Sequence, residues 1–392
     1  MSATEVPRLA RRIAYVDGLR AIAVLLVVVH HAAKWDGDLG QGLLQQVWAE
    51  GAHGVDLFFV LSGFCLSYPL LRELHAKGWS SFDIAGYMAR RIVRIVPPFW
   101  IAITVLCLVL AFAGRIGWHV EDAFSLARLN WYEIGKQALF IDREPVFVNP
   151  SFWTLPIEWR WYFLMPLFLL LWTRSPRAFA TAGIALACGA ALSRVGRFDL
   201  SLLPGFLLGI VAADVELRQI TSGRRMLLFS VLACVVAFAA DWFYRYDLVA
   251  GWQLAAFFFV LAVGSIPTLR RMVACAPLAW LGLASYSIYL VHEPLIATVE
   301  HNTTVGPFVA GAAAVAAGCL FWAAFERPFL SPALRRPLVR WIRPRLAGLC
   351  ALAGVADTIG LRVVSATSLA PAGVDSAASS TQPGPVLADL SA

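Results

Sequence analysis

Residues 14–33 read AYVDGLRAIAVLLVVVHHAA, an aliphatic run interrupted by Asp17 and Arg20 near one end and closed by His30 and His31. A membrane-spanning helix needs about 20 mostly apolar residues, so this stretch is long enough to cross a bilayer. The same stretch carries four ionisable side chains, which are costly in hydrocarbon unless paired or hydrated. It therefore predicts a membrane helix with work for its polar residues to do.

The rest of the chain repeats the first half of that pattern. Of 392 residues, 59% are hydrophobic and 15% charged, against about 25% charged in an ordinary soluble domain. Apolar runs fall roughly at 14–33, 54–71, 92–114, 153–172, 177–194, 200–214, 226–241, 251–267, 277–298 and 305–325. The fold class expected is all-α, a polytopic transmembrane helix bundle of about ten spanning helices in one membrane domain, residues 13–328. A cytoplasmic N-terminus (1–12) precedes it, and a basic, then disordered, C-terminal tail (329–392) follows; within the tail, 346–370 reads as a further hydrophobic hairpin or an interfacial helix, since Asp357, Gly360 and Arg362 speak against a full span. No internal repeat is visible.

The formal charge of +7 would favour nucleic acid in a soluble protein, but here the arginines lie between apolar runs. One set of alternate connections holds Arg8, Arg11, Arg12, then Arg72, Lys77, Arg90, Arg91, Arg94, then Arg174, Arg177, Arg218, Arg224, Arg225, Arg270, Arg271 and the arginines of 327–345. The other set has Lys34, a 115–151 loop of mixed charge, Arg194, Arg197 and Arg245. Cytoplasmic loops concentrate lysine and arginine, so both termini are predicted to be cytoplasmic, with no nucleic-acid partner. The apolar run after Arg12 has signal-peptide length, but Asp17 and Arg20 interrupt it and no small-residue cleavage site follows. A retained first helix is expected. The seven cysteines are scattered through apolar stretches without Cys-x-x-Cys spacing, so neither a zinc site nor a disulfide framework is supported.

Arg20 and His31 lie eleven residues apart, close to three helical turns, which puts them on one face roughly 16 Å apart. A substrate lying along that face is one reading. The other is an Asp17–Arg20 ion pair at the cytoplasmic end, with both histidines at the opposite water interface.

Further motifs follow in order: Asp17-Gly18-Leu19-Arg20; Gly54-Val55-Asp56-Leu57-Phe58-Phe59-Val60-Leu61-Ser62-Gly63-Phe64; and Tyr87-Met88-Ala89-Arg90-Arg91-Ile92-Val93-Arg94-Ile95-Val96-Pro97. Then come Phe152-Trp153-Thr154-Leu155-Pro156-Ile157-Glu158-Trp159, Ser285-Tyr286-Ser287-Ile288-Tyr289-Leu290-Val291-His292-Glu293-Pro294, and Glu326-Arg327-Pro328. These blocks resemble the acyltransferase 3 family of membrane-bound O-acyltransferases, whose first helix carries arginine, ten residues, then histidine. Two departures stand out: Thr154 replaces the commoner serine, and Pro156 is inserted, with a bend at the helix start as the expected effect.

The resemblance implies transfer of an acyl group, often acetyl, from acyl-CoA as co-substrate, with no bound cofactor or metal, to a hydroxyl-bearing, carbohydrate acceptor. A bacterial inner membrane is the expected location. Arg91 and Arg94 would meet donor phosphates at the cytoplasmic mouth of the third helix, or simply anchor topology. His31 is the leading general base, since imidazole titrates near neutral pH; His30 competes, and an interfacial histidine without chemistry is the alternative. Glu158 would orient or tune His31, or bond acceptor hydroxyls; a structural pair with Arg160 or Arg20 is the rival. Asp17, Ser62, Trp153, Ser285, Tyr289 and His292 are candidate substrate-binding residues, although Ser and Tyr in membrane helices also bridge neighbours. Trp118, Trp131 and Tyr132 suit sugars or the membrane interface, and Asn302-Thr303-Thr304 is assigned no function.

A transporter or flippase for a glycan or acylated substrate is the competing reading, because buried charges equally suit a translocation path; the absence of paired repeats counts against it. A receptor or scaffold leaves the internal charges unexplained. The acceptor, whether polysaccharide, lipid-linked glycan, oligosaccharide or antibiotic sugar, is not encoded in these motifs, nor are acyl length, oligomeric state and the choice between direct transfer and an acyl-histidine. A stand-alone transferase is expected, without a second extracytoplasmic domain.

Overall fold

The computed structural model describes residues 14–35, 43–79, 82–121, 124, 131–141, 148–193, 199–219, 221–244 and 247–352. The expected disordered tail, and Arg194, Arg197 and Arg245, lie outside them. Among the described residues the chain is all helical, without strands. In order the helices are α1 (Ala14–Trp35), α2 (Leu43–Ala49), α3 (Gly54–Lys77), α4 (Ile84–Arg115), α5 (Trp131–Ala138), α6 (Thr154–Arg174), α7 (Pro176–Ser193) and α8 (Asp199–Arg218). There follow α9 (Gly223–Tyr244), α10 (Val249–Ser265), α11 (Pro267–Val273), α12 (Ala276–Leu283), α13 (Ser285–Asn302), α14 (Pro307–Phe321), α15 (Arg327–Leu330) and α16 (Pro332–Leu352). A π-helical turn, Trp322–Glu326, joins α14 to α15.

Every apolar run of the sequence falls on a helix, and the chain is a multi-pass membrane protein. Among the described residues six helical segments are long and apolar enough to cross a membrane, or seven if α10 and α11, bent by 102°, form one broken span. One part of the shortfall from ten has a physical cause in α13, where His292, Glu293, Glu300 and His301 dilute the apolar character. The run 277–298 is also two helices, broken at Ala284. At that break Gly282 of α12 lies on the backbone of α1, where an added Cβ would stand 1.7 Å from the Asp17 carbonyl oxygen. A Cβ on Gly18 would stand 1.9 Å from the Val273 carbonyl oxygen. The Asp17–Gly18 step is thus clasped between the ends of α11 and α12.

Helix α1 is central, with Leu19, Ala21, Ala23 and Val24 fully buried. Helices α3 and α8 make the closest long contact, because Gly63 and Gly209 face each other; a Cβ on either would come within 2.1 Å of the other helix's carbonyl oxygens at Phe206 or Val60. Small residues let membrane helices approach in this way, where packing rather than water drives association. The outer surface is apolar: Leu228, Val231, Leu232, Val235 and Val236 of α9 and Leu108 and Phe112 of α4 are all exposed, as a lipid-facing surface requires.

Helix α4 starts about two turns before the apolar run at 92. Its N-cap Asp83 accepts a hydrogen bond from the Gly86 N–H at 2.8 Å, so Arg90, Arg91 and Arg94 stand on the helix itself. Residues 332–352, which join the arginine-rich stretch to the start of the 346–370 segment, form the single helix α16 beside α4, where Arg343 Nε meets Asp83 at 3.1 Å. The 115–151 connection is pinned to the bundle: Trp100 Nε1 donates to the Ala138 carbonyl at 2.9 Å, and Phe140 stacks on Phe99 and Trp159. Trp118 and Tyr132 are exposed; the Trp131 side chain is outside the described residues. Asn302 is occupied structurally, its side-chain amide bonding both the N–H and the carbonyl of His119.

Candidate active site

Two cavities stack along α1. The inner one, about 320 Å³, is lined by Asp17, Arg20, Ser62, Arg91, Arg94, Glu158, Ser285 and Tyr289 among others, which is eight of the eleven residues singled out from sequence. The outer one, about 340 Å³, is lined by His30, His31, Glu50, His53, Trp153, Asp241 and Asp247 among others. The Arg20–His31 step therefore links two chambers rather than lining one. His292 lines neither, and reaches the site through His31.

In the inner chamber the charges come from three helices, α1, α4 and α6. Ser62 of α3 donates to Glu158 of α6, which fixes the carboxylate beside the arginines of α4. Among the described residues, Ser285 Oγ and Arg91 Nε are buried donors without a hydrogen-bond partner. Buried polar groups are nearly always satisfied, so these two mark where a polar ligand would dock. Tyr289 donates to the Ser151 carbonyl and meets Thr154 Oγ1 at 2.7 Å. With the tyrosine proton committed to Ser151, Thr154 is the donor of that second bond, so threonine does here what serine would. Pro156 lies in the first turn of α6, where the N–H has no helical partner to lose, and it requires no bend.

In the outer chamber His31 Nδ1 lies 3.0 Å from the Val27 carbonyl and 3.2 Å from His292 Nε2. His292 Nδ1 faces the Tyr289 carbonyl at 2.9 Å, so its Nδ1 carries the proton and its Nε2 accepts. His31 Nδ1 then carries a proton too, leaving Nε2 as its reactive nitrogen. That atom points at Glu293 Oε1, 3.3 Å away. Glu293 is 1% exposed and accepts from Lys34 Nζ at 3.1 Å and from Ser151 Oγ, which hold its carboxylate in place. The carboxylate beside His31 is therefore Glu293, while Glu158 belongs to the inner chamber with Ser62. Sequence reading passed over Glu293, although a carboxylate following His292 in an apolar helix was a signal.

Two further contacts brace this frame. Glu326, fully buried on the π-turn, accepts from Ser287 Oγ at 2.6 Å and ties α13 to the end of α14. Tyr286 donates to the Ile95 carbonyl at 3.1 Å, tying α13 to α4. Among the described residues no three His, Cys, Asp or Glu side chains are grouped to hold a metal ion.

The fold and site together are those of a helical membrane protein with a buried histidine–carboxylate pair and an arginine-lined chamber. Residues 13–327 match the acyltransferase 3 family, described as an acyltransferase domain, and the chain belongs to that family. It is 27% identical over 328 residues to the peptidoglycan O-acetyltransferase OatA of Listeria monocytogenes, covering 72% of this chain and 49% of the relative. It is 26% identical over 325 residues to the O-acetyltransferase OatA of Staphylococcus aureus, covering 72% and 50%. The chain spans about half the length of the curated relatives it matches. No solved structure matches it.

Proposed function

We propose that this chain is a membrane O-acyltransferase that moves an acetyl group from acetyl-CoA in the inner chamber to a carbohydrate hydroxyl in the outer one. The observation that carries this reading is the His31–Glu293 pair, at 3.3 Å, with His31 in the wall of the outer cavity and Glu293 buried behind it. The family membership and the O-acetyltransferase names of the relatives agree with it, and peptidoglycan-type glycan is the acceptor class those names favour.

The chemistry follows from the contacts. His31 Nε2 takes the proton of the acceptor hydroxyl as its oxygen attacks the thioester carbonyl carbon. The tetrahedral intermediate collapses, the carbon–sulfur bond breaks, and the proton passes on to the departing CoA thiolate. While His31 holds that proton both ring nitrogens are donors, and each has an acceptor waiting: Val27 and His292 at Nδ1, Glu293 at Nε2. A carboxylate set in advance where charge develops stabilises the transition state. Arg91, Arg94 and Arg20 bind donor phosphates, with Ser285 and Arg91 Nε finding their missing partners on the donor.

The inner chamber faces the cytoplasm in this reading, the ten apolar runs all cross a bacterial inner membrane, and both termini are cytoplasmic. Supporting this, cation-rich segments distant in sequence meet at one end of the bundle: Arg218 and His75 on Asp214, Arg343 on Asp83, and Arg270 over Tyr15. Membranes containing the chain should transfer label from radiolabelled acetyl-CoA to glycan. No transfer from acetyl-CoA or longer acyl-CoAs would put the transporter reading ahead.

A further inference from the structure

The inner and outer chambers have one lining residue in common, Val55. Beside it the partition carries a chain of polar side chains. Trp153 lines the outer chamber and the next residue, Thr154, the inner one. Thr154, Tyr289 and Ser151 are joined by hydrogen bonds, and Ser151 continues to Glu293. Opening the partition on that side would break a buried polar network, which is costly. Val55 is held only by packing.

Its position is nevertheless fixed by the backbone. An added Cβ on Gly54 would lie 2.4 Å from the Ala23 carbonyl oxygen, and one on Gly51 2.5 Å from that of Leu26. The first turn of α3 thus lies directly on α1. On the next residue, fully buried Asp56 faces His53 Nδ1 at 2.8 Å and Gln253 Nε2 at 3.4 Å. Valine, branched at Cβ, has few rotamers to escape into, so its two methyl groups are a defined obstacle between the arginines and His31.

We infer that Val55 is the gate at which the acyl group meets the acceptor, and that its bulk restricts transfer to short acyl chains. The inference rests on the transferase reading and adds a specificity-determining residue to it. The donor's phosphates are held at Arg91 and Arg94 and the base is His31, so the thioester carbon and the attacking oxygen must meet at the partition. A longer chain has to share that space with the valine methyls.

The test compares transfer from acetyl-, butyryl- and hexanoyl-CoA by wild type, Val55→Ala and Val55→Ile, with CoA-dependent thermal stabilisation recorded for each. Val55→Ala should raise the butyryl-to-acetyl ratio about tenfold, the scale set by one methylene in an apolar pocket. Val55→Ile should lower that ratio and slow acetyl transfer, with CoA stabilisation retained. A ratio that stays at the wild-type value in both variants overturns the gate while leaving the transferase reading standing. Absence of transfer by wild type from every donor overturns that reading, and the gate with it.

Discussion

Glu293 Oε1 stands 3.3 Å from His31 Nε2 and 3.1 Å from Lys34 Nζ, bringing a residue of α13 against two residues of α1 at the outer end of the bundle. With Nδ1 of His31 bonded to Val27 and His292, this carboxylate suits an imidazolium better than a neutral ring. Glu293 is accordingly placed to stabilise the proton that His31 collects.

Glu293→Gln keeps the shape and removes the charge. It is expected to lower kcat about 10- to 100-fold, the effect of replacing a charge-assisted contact at a developing charge by a neutral one. The KM for acetyl-CoA should stay near wild type, because Glu293 is remote from the donor arginines. Steady-state kinetics on purified protein checks this, and a rise in donor KM with kcat unchanged would speak against it.

Arg91 and Arg94 stand on α4 in the inner chamber. Replacing both by Gln should raise the donor KM by about tenfold or more, since hydrogen bonds to charged groups contribute ~1.5–3 kcal/mol. Loss of CoA-dependent thermal stabilisation with normal membrane insertion is the expected result. Undiminished donor binding would return these arginines to a topological role.

Orientation is testable without activity. Lys77→Cys should react with a membrane-impermeant maleimide only from the cytoplasmic side, and Tyr132→Cys, at a site that is 72% exposed, only from outside. The reverse pattern would invert the two chambers.

Gly209→Ala puts a methyl group 2.1 Å from the Val60 carbonyl oxygen. Forced repacking of this kind costs about 1–3 kcal/mol, so the detergent-solubilised protein should melt several degrees lower. An unchanged Tm would show that α3 and α8 are not locked at this crossing.

The membrane class and most of the inner chamber were legible in the sequence, because apolar length and motif order are local properties. Asp17, Arg20, Ser62, Arg91, Arg94, Glu158, Ser285 and Tyr289 converge as the motif blocks suggested. The division into two chambers was not legible: helical spacing puts Arg20 and His31 on one face, but the partition between them comes from Val55 on α3 and Thr154 on α6. Glu293 was hidden because its partner, His31, lies at the other end of the chain. Arg90, Arg91 and Arg94 concealed the true start of α4 by interrupting its apolar run, although Asp83 was a readable cap. The break at Ala284 was masked because neither proline nor charge marks it and small residues continue across it.

The central claim, that His31 is the base of an acetyl transfer, is tested most directly by following label from radiolabelled acetyl-CoA into membrane glycan with wild type, His31→Ala and His30→Ala at matched expression. Transfer by wild type, a loss of about 10²–10⁴-fold for His31→Ala and substantial activity for His30→Ala are expected. Transfer by His31→Ala at the wild-type rate, or its loss only in His30→Ala, would contradict it.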